Sequence, residues 1–279
     1  MADRDRITES LLLVFVLGLA FSITFSQILL ALVVARWLWK LRDPAVRRGA
    51  RLPLALPFLA LSAVTLLGAA LSDSPRQALH RSDSLLLILV FFAAVNLVEG
   101  RSQIERLLLA LTAAMTLSAI YGLVQTAVCT GSGPVPAWTA WLLRVKPGAC
   151  GATFPFRAKG FYSIYMTLGG VGLMALIMTA ALSFSTVGRR RLLLNLGGVG
   201  QLAAVVATFS RNAWLGVTVG FVALSVAARR VRLMAVLGVA VLLLFFGTQI
   251  TLGPGRLAAR STPADLVILA LLAWFSLAS

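Results

Sequence analysis

Stretches of about 17 to 25 apolar residues recur along this chain of 279 residues, separated by short segments that are either basic or rich in Gly and Pro. A run of that length makes a helix just long enough to cross a hydrocarbon core of roughly 30 Å. In such a core every backbone polar group has to be satisfied within the segment itself. The alternating pattern of about 10 residues that marks a membrane barrel is not seen. The fold class is therefore all-α, a polytopic transmembrane helical bundle of about 8–10 spans. With 59% hydrophobic and 12% charged residues, the composition lies well outside the range of soluble globular domains.

The net charge of +16 invites a nucleic-acid reading. The basic residues, however, fall in short clusters between apolar runs and not in a groove pattern interleaved with aromatics, so they read as topology signals and not as a nucleic-acid surface. One set comprises Arg36, Lys40, Arg42, Arg47, Arg48 and Arg51, then Arg101 and Arg106, then Arg189, Arg190 and Arg191, then Arg229, Arg230 and Arg232. The intervening segments carry fewer, which assigns the first set to the cytoplasmic side. The start, MADRDRITES, is followed by an apolar run that continues to Trp39 without a small-residue cleavage site, so it reads as a retained span and not as a signal peptide.

Hydropathy places spans at 52–71, 84–98, 107–128, 161–185, 192–209, 212–228, 233–250 and 264–278. The run from Leu11 to Trp39 is long for one upright helix and short for two, so it fits either a single span or a hairpin of two short segments. Residues 1–279 form a single membrane domain. The glycines in TLGGVG (167–172) and LGGVGQ (196–201) permit close helix approach in lipid, and no lysine or serine completes a phosphate loop around them.

One long external loop spans about 129–160. Trp138 and Trp141 fit either a short helix lying at the interface or an ordinary pair of aromatic-belt residues. Cys129 and Cys150, the only two cysteines, both fall here. Facing an oxidising compartment they can close a disulfide; otherwise they are two free thiols.

The stretch ATFSRNAWLGVTVG places Arg211 between two apolar runs. Arg191 and Arg229 lie on either side at about 30 Å and 27 Å of helix, so Arg211 stands at the outer end of a hairpin whose feet are cytoplasmic. The serine and asparagine beside it suit a turn, but a turn does not require an arginine. Between Glu105 and Asp265 there is no Asp or Glu at all, so Arg157 and Arg211 have no carboxylate partner in that half. Arg211 either snorkels to lipid head groups or holds a phosphate, which its planar fork grips bidentately. In that half the same lack of acids leaves no carboxylate ligands for a divalent metal, Asp73 and Asp83 only flank a short loop before it, and apart from Asp265 at the edge of 264–278 no span carries an acid of the kind proton-coupled transport uses. The single histidine, His80, lies in the loop SDSPRQALHRSDS; it is either a solvated loop residue or a weak candidate for a catalytic base.

These residues resemble a known family. TFSRNAWLGVTVG is similar to the T-x-SR-x-A-x-(L)-G signature of the bacterial O-antigen ligase and O-antigen polymerase family. FRAKGFYSIYMTLGG (156–170) is similar to the R-x-x-G-x-F/Y element that opens an earlier span in those proteins. The resemblance runs from about residue 50 to the end in the order and spacing of its elements. It implies a multi-pass protein of the bacterial inner membrane, active in lipopolysaccharide or polysaccharide biosynthesis. Such proteins move a glycan from a polyprenyl diphosphate carrier such as undecaprenyl diphosphate to an acceptor hydroxyl on the periplasmic face, with no metal or other cofactor. It further implies that Arg157 and Arg211 contact the carrier diphosphate, with Lys159, Tyr162 and Ser210 beside them, and that other glycan-assembly proteins are partners.

The chain departs from that family in one respect. Family members continue past the span matching 233–250 into a large external loop carrying a histidine that serves as general base, then into further spans. Here 251–279 reads as a truncated remnant of that region, and His80 precedes the motifs. The expectations are thus a glycosyltransferase-type protein lacking the family's base at its usual position. The alternatives are a non-catalytic relative that binds carrier or acts as a scaffold and, further off, a transporter of an anionic solute or lipid.

Overall fold

The computed structural model describes residues 6–49, 51–81, 85, 87–98, 100–129, 136–145, 150 and 156–227, with Leu79, His80, Arg81, Leu87 and Arg211 described through their backbone only. The expected spans at 233–250 and 264–278, the remnant at 251–279 and much of the 129–160 loop lie outside these residues. Among the described residues the fold is helical, with no strand: α1 (Arg6–Phe21), α2 (Ile23–Lys40), α3 (Pro44–Arg48), α4 (Ala55–Ala70), α5 (Pro75–Arg81), α6 (Leu87–Leu97), α7 (Arg101–Cys129), α8 (Ala137–Leu142), α9 (Tyr165–Phe184), α10 (Gly188–Ala207) and α11 (Arg211–Ala227). The ambiguous first stretch is two helices, broken at Ser22.

Three of these, α2, α7 and α9, are long and apolar enough to cross a membrane; α4, Ile88–Leu97 and Asn212–Ala227 are apolar but shorter. Helix α4 has no charged residue and buries only Ala69, while Leu56, Leu59, Val64 and Leu67 stand 62–78% exposed. An apolar surface that continuous is the mark of a face meant for lipid or protein, not for water. Hydroxyls within the apolar helices are satisfied by the carbonyl one turn back, as in Ser62 to Phe58, Thr65 to Leu61, Thr126 to Gly122 and Thr218 to Trp214, at 2.8–3.0 Å. The first turn of α10 carries Arg189, Arg190 and Arg191 at the positively polarised end of the helix. That placement is mildly unfavourable, so helix stability does not account for the cluster.

The chain divides into two compact units, Met1–Gly18 with Ile23–Leu107, and Leu19–Ser22 with Leu108–Ser279. In the first, Leu12, Val33, Trp37, Ala93 and Leu97 form the core, and Phe58, Phe91 and Phe92 pack ring against ring at 5.2–5.7 Å. The Asn96 amide donates to the Arg51 carbonyl at 2.8 Å and its oxygen accepts from the Arg51 N–H at 2.7 Å, tying the approach to α4 onto α6. At one end Arg106 pairs with Glu9 at 2.7 Å, and Arg36 donates to the Thr8 hydroxyl at 3.4 Å. The start of α1, the end of α2 and the start of α7 therefore meet at the basic end.

In the second unit, Leu176, Ala180, Val205, Ala213, Val217 and Phe221 form the core among α9, α10 and α11. Helices α9 and α11 run parallel. Gly169 faces Ala213, Leu173 fills the space over Gly216, and Ile177 that over Gly220, an advance of about one turn each time. Small residues at that spacing let the backbones approach. A neutral polar cluster joins α7, α9 and α10: the Gln201 amide donates to the Thr112 carbonyl (3.1 Å) and the Thr116 hydroxyl (3.0 Å), its oxygen accepts from Thr179 (3.2 Å), and the Thr112 and Thr179 hydroxyls lie 3.0 Å apart.

Candidate functional site

The segment Phe156–Gly160, FRAKG, enters the second unit without helix or strand and alternates inward and outward: Phe156, Ala158 and Gly160 are buried, Arg157 is exposed and Lys159 half-buried. Each inward position is fastened. The Ala158 N–H donates to the Ala207 carbonyl at the end of α10, at 2.9 Å. Gln125 of α7, itself buried, accepts from the Lys159 N–H at 3.3 Å and donates to the Gly160 carbonyl at 3.0 Å and the Leu143 carbonyl at 2.7 Å. Gly160 has φ +62, and a Cβ there would meet the Ser118 hydroxyl at 2.6 Å and the Ser118 carbonyl at 3.0 Å. Only glycine meets both demands without displacing α7.

Beyond the glycine, Phe161 stacks on Tyr121 at 4.4 Å between centroids and lies 5.0 Å from Phe21. Tyr162, expected beside a ligand, is 6% exposed, and its hydroxyl donates to the Leu19 carbonyl at 2.5 Å. Tyr162 supports the segment from within.

The second sequence element forms the corner between α10 and α11. Phe209 adopts a left-handed conformation (φ 51). The turn is stitched by Thr208, whose hydroxyl donates to the Val205 carbonyl at 2.7 Å and accepts from the Ser210 N–H at 3.3 Å. The Ser210 carbonyl then accepts from the Trp214 N–H at 3.1 Å, and Arg211 is the first residue of α11. The turn chemistry expected of the Ser210 and Asn212 side chains is thus supplied by Thr208, which the sequence shows only as the first residue of the signature.

The two elements, some 50 residues apart in sequence, are brought side by side by the Ala158–Ala207 bond and by Gly169 lying against Thr208 and Ala213, at 3.4 and 3.2 Å from where its Cβ would stand. The Arg157 guanidinium lies over the ring of Tyr165, the first residue of α9, at 4.5 Å, and the Lys159 ammonium lies 5.7 Å from the Phe156 ring. Because α9 and α11 are parallel, their N-terminal ends, each carrying partial positive charge, open at the same end as Arg157, Lys159 and the start of α11. Exposed cation–π contacts contribute about 0.5–1 kcal/mol, less than a charge-assisted bidentate bond to phosphate at about 1.5–3 kcal/mol. Arg157 is therefore held in place yet can turn to an anion.

The disulfide between Cys129 and Cys150 joins the end of α7 to the chain just before FRAKG, and with Ala140, Leu143, Val145 and Phe156 it forms a small core. Helix α8 leaves Trp138 and Trp141 69% and 81% exposed. His80 belongs to α5 in the first unit. Comparisons with protein-family models, curated proteins and solved structures give no match.

Proposed function

We propose that this is a multi-pass protein of the bacterial inner membrane, related in chemistry to the O-antigen ligases and polymerases, and that it holds a polyprenyl-diphosphate-linked glycan. The observation that supports this most directly is the backbone bond from Ala158 to Ala207, which sets the two elements of the resemblance next to each other at the N-terminal ends of α9 and α11. Arg157, Lys159 and Arg211 are the diphosphate ligands. Attack by an acceptor hydroxyl on the anomeric carbon breaks the bond to the carrier oxygen, and the diphosphate leaves as negative charge grows on it. Cations with no carboxylate close to them in sequence stabilise that charge where it develops. On the positive-inside rule the arginines in the first turn of α10 face the cytoplasm, and FRAKG, bonded to the other end of α10 at Ala207, then opens to the opposite side.

The test is Arg211→Ala in cells and in purified form. The expected result is loss of carrier-linked transfer with insertion and abundance unchanged. Loss of abundance together with activity would make the arginine a structural residue, and retained carrier binding without transfer in the wild type would favour a binding or scaffold role.

A further inference from the structure

Helix α8 is short and two-faced. Ala140 and the following Leu143 are buried, while Trp138, Trp141 and Leu142 stand outward at 69%, 81% and 56% exposure. Its inner side is fastened to the last turns of α7: the Tyr121 hydroxyl donates to the Leu142 carbonyl at 2.6 Å, Gln125 donates to the Leu143 carbonyl at 2.7 Å, and the Cys129–Cys150 bond closes the far side. The level of the two indoles is therefore the level at which α7 ends. Over those same turns α7 presents an outward apolar stripe, with Leu117, Ile120 and Val124 exposed at helical spacing.

We infer that Trp138 and Trp141 seat α8 in the boundary between head groups and acyl chains of the leaflet on the FRAKG side, as a depth anchor for the site. The occupant of this face is the lipid surface. Indoles have an apolar body and one polar N–H, which suits them to that boundary, and exposed Arg144 at the end of α8 meets the anionic head groups. Gln125 carries the level inward, since the side chain that holds Leu143 also holds Lys159 and Gly160. Arg157 and Lys159 then lie at the depth of lipid phosphates, where a lipid-borne diphosphate presents itself. The inference rests on the membrane part of the proposed function and not on its carrier chemistry.

The experiment uses the full chain in vesicles of phosphatidylcholine and phosphatidylglycerol, with lipids brominated either high on the acyl chain or near its end, and with iodide as an aqueous quencher. Subtracting the emission of Trp138→Phe/Trp141→Phe from that of the wild type isolates the two indoles; the single variants give the same difference if the double variant is poorly expressed. The expected difference emission is quenched most by the high bromines, less by the deep ones and least by iodide. Quenching by iodide alone overturns the inference by placing the indoles in water, and quenching by neither overturns it by placing them under protein, such as a second copy. If no tryptophan of the chain responds to any brominated lipid, the membrane reading falls as well. Normal quenching in an Arg157→Ala variant that has lost carrier binding would leave α8 as the anchor whatever the carrier chemistry proves to be.

Discussion

The two units hold themselves together by different chemistry. The first uses charge at its basic end, with Glu9 on Arg106, and an amide clamp between Asn96 and the Arg51 backbone. The second has no carboxylate among its described residues, since the chain has none between Glu105 and Asp265. It is fastened by neutral groups: Gln201 with Thr112, Thr116 and Thr179, Gln125 with three backbone groups, and glycines under Leu173 and Ile177. Among the described residues of this unit, Arg157 and Lys159 therefore have no carboxylate beside them. Arg157 rests on an aromatic ring, which is a weaker hold than a carboxylate would be.

Breaking the contrast at the cations has the largest expected effect. Introducing an acid beside them, as Tyr165→Glu, supplies the missing internal partner; carrier-linked transfer then falls by orders of magnitude in membrane assays while the protein accumulates normally. Removing the disulfide as Cys129→Ser/Cys150→Ser frees a loop of 21 residues, and loop entropy puts the loss at about 3 kcal/mol, read as a lowered midpoint of thermal unfolding in detergent. Gln201→Leu deletes three interhelical hydrogen bonds at about 0.6 kcal/mol each, so roughly 2 kcal/mol is lost in the same measurement. Gly160→Ala forces a left-handed conformation and a clash with Ser118, costing about 1–3 kcal/mol, and should lower carrier affinity along with stability because it shifts the segment that carries Arg157. The smallest effect belongs to the first unit. Glu9→Gln, at a partly exposed pair, lowers stability by at most about 1 kcal/mol, and the loss shrinks further in high salt.

The helices were legible because apolar length is a one-dimensional signal. The expected spans at 107–128, 161–185 and 192–209 match α7, α9 and α10 to within a few residues, although α7 begins earlier, at Arg101, and α10 takes its three arginines into its first turn. The break between α1 and α2 was not decidable, since Ser22 is no stronger a breaker than the serines inside helices. At the site, the outward charges of FRAKG and the corner before Arg211 could be singled out from charge against hydropathy. What joins them could not. The Ala158–Ala207 bond is between backbone atoms and leaves no mark on residue types. Gln125 and Gln201 read as ordinary polar residues in apolar runs until their distant partners are known, and their burial at 1% each is what marks them as fasteners. Tyr162 sits two residues from the glycine in the motif, but only the fold reveals that its hydroxyl turns inward to Leu19.

The central claim is that the second unit presents Arg157 and Arg211 to a lipid-borne diphosphate. It is tested most directly by measuring binding of polyprenyl diphosphate to the purified full chain, with polyprenyl alcohol as the uncharged control, for the wild type and for Arg157→Ala and Arg211→Ala. We predict that the wild type binds the diphosphate far more tightly than the alcohol, and that each substitution removes that preference without lowering the thermal midpoint. Equal affinity for the two lipids in the wild type, or a preference that survives both substitutions, would contradict it.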